Sequence, residues 1–478
     1  MKKVSHIQTF VRVLAVILIV FTLNVSAHAE NIKGVVLLIG DGMGLNQIRS
    51  AEIYALEFLN KPLAMNSIVS RGTTTTYSAN AEVTDSAAAA TALYSGYKNN
   101  NGVLNILPDG KYVYNVAQAA KDAQLSVGVV STTRLTHATP AGVYSHSLER
   151  DAENFIAEQL PQFSPEVAMA GGRGNFIPQS EKSSKRKDDK NLIEMMKKDG
   201  YTYVGNKSEL QAVDPNTTSK LLGLFAGSHL SYDLDRQNVE ELKSEPTLAD
   251  MTRTALAILA KNPKGFFLMV EGGRIDHACH LHDIKASIFE TLAFDEAVKA
   301  ALDFQKKHPD VLVIVTADHE TGGLGLGTGT RYGIDFKSLV PIKNSLEYVT
   351  KNMSKDPMNA SNLLKTAGFE FSDQEKALLS KYPPDMKPSQ TAEFADFAKI
   401  DRYMPAWILV ALGTIESDRA KIGWTSYVHT AQPVITFASG PGAKEFEGAY
   451  DNTDIPKKIA KLLGLTLKPP YVPEKEAK

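Results

Sequence analysis

The stretch LLIGDGMG, residues 37–44, runs an apolar segment into a glycine turn with Asp41 at its centre. Glycine turns after strands hold phosphate through bare backbone N–H groups, and a carboxylate among those groups repels an anion. The conflict disappears if Asp41 binds a cation and the cation binds the anion. A dinucleotide loop accounts for the turn less well, because Gly40-Asp41-Gly42-Met43-Gly44 departs from G-x-G-x-x-G spacing.

Further residues of metal-ligand type follow. In VEGGRIDHACHLHD, Asp276 and His280 are four apart and share one face of a helix, with Glu271 just before them. Imidazole with carboxylate suits zinc, whereas carboxylate with hydroxyl and water suits magnesium. The ordinary alternative is an exposed polar helix start. Against it stand three histidines and two aspartates within residues 276–283. VIVTADHETGG places Asp318 and His319 at the end of a β-branched run, where a capped loop is the alternative. YVHTAQP adds His429, a structural histidine by default, and THATPAG adds His137 and Thr139. SHSLER adds Arg150, either a surface residue or a fork able to grip two phosphate oxygens. Cys279 is either a ligand or a buried thiol.

VTDSAAAATAL has a simple structural account, with Asp85 or Ser86 as an N-cap before an alanine helix. Its functional account makes Ser86 a nucleophile at a helix N-terminus, where the dipole favours negative charge. No histidine is near Ser86 in sequence, so a base or a metal must come from elsewhere.

These residues need elements to carry them. GVVLLIG, LSVGVVST, GFFLMVEGG, DVLVIVTADHE and PVITFAS read as strands. AAAATALYSG, NVAQAAKDA, TLADMTRTALAILAK, IKASIFETLAFDEAVKAALDFQKK and IPKKIAKLLG read as helices. Continuous apolar strands between helices predict a parallel sheet covered on both faces. Ligands in such sheets lie beyond the C-terminal strand ends, where Asp41, Glu271, Asp318 and His319 fall. SEKSSKRKDDK, residues 180–190, reads as a solvated loop. Residues 324–425 break the strand–helix rhythm and read as an insertion that caps the sheet.

The chain has 478 residues, 43% of them hydrophobic, and a formal net charge of −2, so nothing global points to nucleic acid. MKK, the apolar run VLAVILIVFTLNV and Ala27-His28-Ala29 read as a signal peptide over residues 1–29. An uncleaved anchor is the alternative, but the run is short for a span of about 20 residues. The expectation is an exported chain, periplasmic or secreted, starting near Glu30 with no membrane span. One cysteine excludes an intramolecular disulfide.

LLIGDGMG, VTDSAAAATA, ATPAGVYSHSLER, GFFLMVEGGRIDHACH, TADHETGG and VHT, in this order, resemble the alkaline phosphatase family. The resemblance spans roughly residues 34–325 and resumes near 425. It leaves 324–425 uncovered, and 160–240 beyond scattered similarity. It implies a three-layer α/β/α sandwich around a large, mostly parallel sheet, formed by residues 30–478 with 324–425 as a cap. It implies hydrolysis of phosphate monoesters with broad specificity through a phosphoserine on Ser86. Asp276, His280 and His429 are implied to hold one zinc. Asp41, Asp318 and His319 are implied to hold a second zinc that also contacts Ser86. Asp41, Glu271 and Thr139 are implied to hold a third ion, usually magnesium, and Arg150 to clamp phosphate. Members are commonly dimers.

The best-known bacterial members carry Asp and Lys where this chain has His137 and His277, whereas animal members carry histidine at both. The pair is expected beside the third ion and the phosphate, with His277 binding substrate and zinc or cobalt as alternatives to magnesium. Two rival functions fit the same residues: a phosphodiesterase or phosphoglycerate mutase on this fold, and an exported metal- or phosphate-binding protein without turnover. Thr139, Glu271 and Arg150 together favour monoester hydrolysis, and an intact Ser86 argues against loss of turnover.

Overall fold

The computed structural model describes residues 32–330, 332–352, 364–379 and 407–473. The expected signal peptide, residues 1–29, lies outside the described residues. The strands are β1 (Gly34–Gly40), β2 (Ser70–Thr75), β3 (Ser126–Arg134), β4 (Val167–Gly171), β5 (Thr202–Val204), β6 (Leu221–Leu224), β7 (Phe266–Gly272), β8 (Val311–Thr316), β9 (Glu320–Thr321), β10 (His429–Thr430), β11 (Val434–Ser439) and β12 (Gly448–Asp451). Ten of them form one sheet in the order β12-β2-β11-β8-β1-β7-β3-β4-β6-β5, and β9 pairs with β10.

Both faces of the sheet are buried, which is why β1 reads as an unbroken apolar run. Val35, Leu37 and Ile39 face one core with Leu93, Val116, Ile156 and Ile459. Val36 and Leu38 face the other with Ala51, Leu256, Phe294 and Val298. Helices Ser86–Ser95, Val116–Asp122, Glu153–Phe163 and Asp454–Leu463 supply the first layer. Helices Leu45–Phe58, Leu248–Leu259 and Ile284–Gln305 supply the second. Each such Leu or Ile, fully buried, contributes about 1.5–3 kcal/mol.

The sheet holds five strands that the sequence reading does not name, β2, β4, β5, β6 and β12, and it departs from a parallel arrangement in one strand. β11 runs antiparallel to both its neighbours, β8 and β2. Its apolar run reads the same either way, because burial on both faces sets composition without setting direction. The 180–190 segment also differs. Arg186 is buried there, between Asp188 and Glu158, with Nη1 donating to the Asn175 carbonyl at 3.2 Å. Charge composition alone cannot separate a paired buried arginine from a solvated one.

The described part of 324–425 builds its own apolar cluster. Leu324, Phe336, Leu339, Leu346, Phe369, Leu412 and Ile422 pack with Tyr54, Ile284 and Ile288. That region therefore rests on two helices of the second layer.

Candidate active site

The sheet register brings the acidic residues together. β1 lies between β7 and β8, both parallel to it, with Ile39 opposite Glu271 and Thr316. Asp41 thus emerges at the C-terminal edge between Glu271 on one side and Asp318 on the other. The turn needs a glycine at position 42. Its φ is +70°, and a Cβ there would sit 2.8 Å from Asp276 Cα. The Gly42 N–H donates to Asp318 Oδ1 at 3.1 Å, tying the two strand ends together.

Helix Arg274–His280 begins just past β7 and sets Asp276 and His280 one turn apart. Asp276 Oδ2 is 3.3 Å from His280 Nε2. His429 arrives on β10, which pairs with β9 so that His429 lies opposite Thr321. Its Nε2 lies 3.3 Å from His280 Nε2 and 3.5 Å from Asp276 Oδ1. His280 Nδ1 donates to the Tyr427 carbonyl at 2.5 Å and His429 Nδ1 to the Thr84 carbonyl at 2.8 Å. Both rings thereby turn Nε2 toward Asp276 and toward each other.

A second group adjoins the first. His319 Nε2 is 3.2 Å from Asp318 Oδ2 and 3.5 Å from Asp41 Oδ1. Asp276 also reaches it: ligand atoms of Asp41, Asp276 and His319 lie within 4.8 Å of one another. The Ser86 hydroxyl lies 3.3 Å from His319 Nε2. Ser86 opens the buried helix Ser86–Ser95, whose alanines let it pack closely. Asp85 caps that helix by accepting from Ala88 N–H at 2.9 Å. The second Asp85 oxygen takes the Arg150 Nη1 donor at 3.0 Å, which sets the guanidinium beside the serine.

A third group joins Asp41, His137 and Glu271, with ligand atoms within 4.8 Å of one another. Glu271 Oε2 accepts from Thr133 Oγ1 at 3.0 Å and from Ser131 Oγ. Thr139 is fully buried on helix Ala138–Tyr144.

These groups leave an unusual set of buried polar atoms without hydrogen-bond partners: both Asp41 oxygens, Asp318 Oδ2, Glu271 Oε1, Thr139 Oγ1 and His137 Nδ1. Such atoms cost about 1–3 kcal/mol each when unsatisfied. Burial, with Asp318, Asp276 and Glu271 close by, pushes the Asp41 carboxyl well above its usual range. Burial and Asp276 do the same to Asp318, and burial raises Glu271. Burial keeps His319 neutral and lowers His429 to about 4. Burial opposes charge on His280 too, but the adjacent Asp276 raises its pKa. Converging carboxylates and imidazoles fit hard and borderline divalent cations.

His137 belongs to the third group, and its ring centroid lies 5.5 Å from that of His277. Arg150 Nη2 donates to His137 Nε2 at 3.2 Å, and Arg274 Nη1 to His277 Nδ1 at 2.9 Å. The sequence reading missed His229, whose ring packs 4.4 Å from His277. It also missed Ser131 and Thr133, which brace Glu271, and Arg274. Arg274 and Thr321, whose hydroxyl donates to Asp276, stand within the motifs. Nothing local in the sequence marks His229 or Ser131.

His282 is another residue that only the fold reveals. Its ring stacks 3.9 Å from Tyr427 and 4.8 Å from Trp424, and its Nε2 donates to the Ser426 carbonyl at 2.8 Å. It fastens the loop that delivers His429. Cys279 is buried beside Ser287 and Gln47, outside the ligand groups.

The alkaline phosphatase family profile matches residues 32–465. Alkaline phosphatase 3 of Bacillus subtilis is 36% identical over 455 residues, covering 92% of this chain and 91% of the relative. The crystal structure of Thermus thermophilus alkaline phosphatase aligns with a TM-score of 0.78 at 30% identity, covering 92% of each chain. A point mutant of TAB5 alkaline phosphatase, solved with magnesium in its M3 site, aligns with a TM-score of 0.65 at 27% identity, covering 91% of this chain and 99% of that one. Profile, relatives and the acidic, imidazole-lined centre agree: the chain belongs to the alkaline phosphatase family, which hydrolyses phosphate monoesters.

Proposed function

We propose that the chain turns over phosphate monoesters through a phosphoserine on Ser86, with Arg150 gripping the phosphoryl oxygens. The observation that supports this most is the meeting of Ser86, Arg150, both unpartnered oxygens of Asp41 and the unpartnered Oδ2 of Asp318 around the C-terminal strand ends. Metal dependence goes with the family; the ions proposed for this chain are two zinc and one magnesium, with zinc or cobalt as the alternative third ion. Asp276, His280 and His429 would hold the first. Asp41, Asp318 and His319 would hold the second, with Ser86 close by. Asp41, Glu271 and Thr139 would hold the third, with His137 and His277 beside it. Bound there, such ions supply Lewis acidity and neutralise charge on the phosphoryl group and the oxygens in line with it.

The chain's own groups do the rest. Ser86 Oγ sits at the N-terminal end of its helix, where backbone N–H groups favour negative charge on the attacking oxygen. Asp85 aims Arg150, so two parallel N–H bonds can orient the phosphoryl group without loss of rotamer freedom at binding. The Ser86 Oγ–P bond forms as the P–O bond to the alcohol breaks. Water then takes the phosphoryl group and restores Ser86. Since these contacts address only the phosphoryl group, the alcohol is weakly constrained and specificity is broad.

We read the leader at 1–29 as an export signal, giving a periplasmic or secreted protein. No described helix is long and apolar enough to cross a membrane. A homodimer is proposed from the resemblance alone. Parallel assays with a nitrophenyl monoester and diester, with trapping of labelled phosphate on the protein, test the reading. Monoester turnover with a labelled serine supports it, and turnover without any covalent phosphate overturns the role of Ser86.

A further inference from the structure

Glu320 stands beside His319 in the motif TADHETGG, yet it belongs to none of the three ligand groups. It is almost fully buried, and donors from three segments of the chain converge on its carboxylate. Oε1 accepts from Gln47 Nε2 at 2.8 Å and from the Leu324 N–H at 3.2 Å. Oε2 accepts from the Gly323 N–H at 3.1 Å and from the Thr430 hydroxyl.

Each segment carries a proposed ligand. Gln47 lies at the start of helix Leu45–Phe58, directly after the Asp41 turn. Its Nε2 also donates to the Thr321 carbonyl at 2.8 Å. Gly323 and Leu324 belong to the turn that follows His319. Thr430 is the neighbour of His429 and lies opposite Glu320 across the β9–β10 pair. The third glycine of GDGMG belongs to the same arrangement. Gly44 has an ordinary φ of −78°, but a Cβ there would sit 2.2 Å from Glu320 Cγ. A glycine at 44 is thus what lets Glu320 lie against the helix start and reach Gln47.

We propose that Glu320 is a positioning residue for the reaction. It ties the His429 end of the centre to the Asp41 and His319 end, and so sets the separation of the first and second ion sites. The proposal rests on the function proposed above and adds to it a residue that holds no ion itself. Two cations that serve one in-line displacement need a fixed separation. Hydrogen bonds that orient ligand-bearing segments typically carry about 10- to 100-fold of metal affinity.

The test is zinc binding by Glu320→Gln, which keeps the length of the side chain and replaces one acceptor oxygen with an NH2 group. Chelator-buffered zinc titration of the full chain is expected to show affinity about 10- to 100-fold weaker than in the parent. In saturating zinc, kcat for nitrophenyl phosphate is expected to stay about 10- to 100-fold below the parent, because occupancy returns and spacing does not. A role in packing alone would lower Tm and move neither quantity. Should Glu320→Gln not fold, Thr430→Val removes a single donor, and zinc affinity is expected to weaken about 2- to 10-fold. Parent-like zinc affinity in the folded variant overturns the positioning role even where Tm has fallen, and so does a kcat fully restored by excess zinc. A parent that binds no zinc and hydrolyses no monoester overturns the proposed function itself.

Discussion

The Ser86 hydroxyl oxygen stands 3.3 Å from His319 Nε2, although 233 positions separate the two residues. This pairing links the helix N-terminus that presents the serine to the strand end that presents Asp318 and His319. Ser86→Ala removes one oxygen and leaves that framework in place. Its kcat is expected to fall at least about a hundredfold, with metal content near that of the parent. A nitrophenyl phosphate assay beside metal analysis checks it. Near-parent turnover would show that the serine is not the attacking group.

Metal removal should affect stability as well as rate. Asp41 and Asp318 are buried with partnerless oxygens and lie close enough to oppose each other's ionisation. Exhaustive chelation is expected to abolish activity and lower Tm, and zinc with magnesium to restore both. An apo protein with unchanged Tm and full activity rules out a metal centre.

Arg150 is held by Asp85 before any substrate binds, at 3.0 Å. Its planar fork is what a lysine cannot reproduce. Arg150→Lys is therefore expected to lower kcat/KM by about 10- to 100-fold and to weaken inhibition by phosphate. Steady-state kinetics with phosphate as inhibitor reads both effects. Parent-like constants would place Arg150 outside the binding step.

His282→Ala takes out the ring between Trp424 and Tyr427 and the bond to the Ser426 carbonyl. The expected cost is about 1–3 kcal/mol of stability. Because the loop carries His429, one of the proposed ligands, the zinc proposed there should also be lost faster on dialysis. Thermal unfolding and zinc content after dialysis test the two parts. A variant that loses stability yet keeps parent-like zinc would limit His282 to packing.

Glu290 gives stability a pH dependence. Burial pushes its carboxyl up to about 8, against the opposing pull of Arg274 and Arg236. Its ordinary value is about 4.3. Between the two values the folded chain holds a proton that the unfolded chain has lost. The unfolded state therefore binds fewer protons, and stability falls as pH rises through that window. Glu290→Gln keeps the carbonyl that accepts from Asp233 N–H and removes the titration. The parent is expected to lose several degrees of Tm between about pH 6 and pH 9, and the variant less. Equal slopes in parent and variant would assign the dependence to other groups.

Most of the centre was legible in the sequence because its chemistry is local. Asp276 and His280 are one helical turn apart, so their spacing already puts them on one face. Asp41, Glu271 and Asp318 each end or follow an apolar run, and parallel sheets gather such ends at one edge. The alternating strands and helices likewise implied two covered faces, since only burial on both sides tolerates runs such as GVVLLIG. Direction and neighbour order were another matter. β11 runs antiparallel with the same kind of composition as its parallel neighbours. The residues around His429 alone left open whether it belongs to the centre, and only the resemblance set it among the ligands; in the fold the two-residue pairing of β10 with β9 brings it beside Asp276 and His280. His229, Ser131 and Arg274 show the same limit: what each touches depends on which strands are adjacent. A lysine at 277, reasonable from sequence, would meet the Arg274 guanidinium that now donates to His277 at 2.9 Å. Spacing along one element is fixed by covalent geometry and can be read from sequence. Contact between elements is fixed by packing and register, which only the folded chain decides.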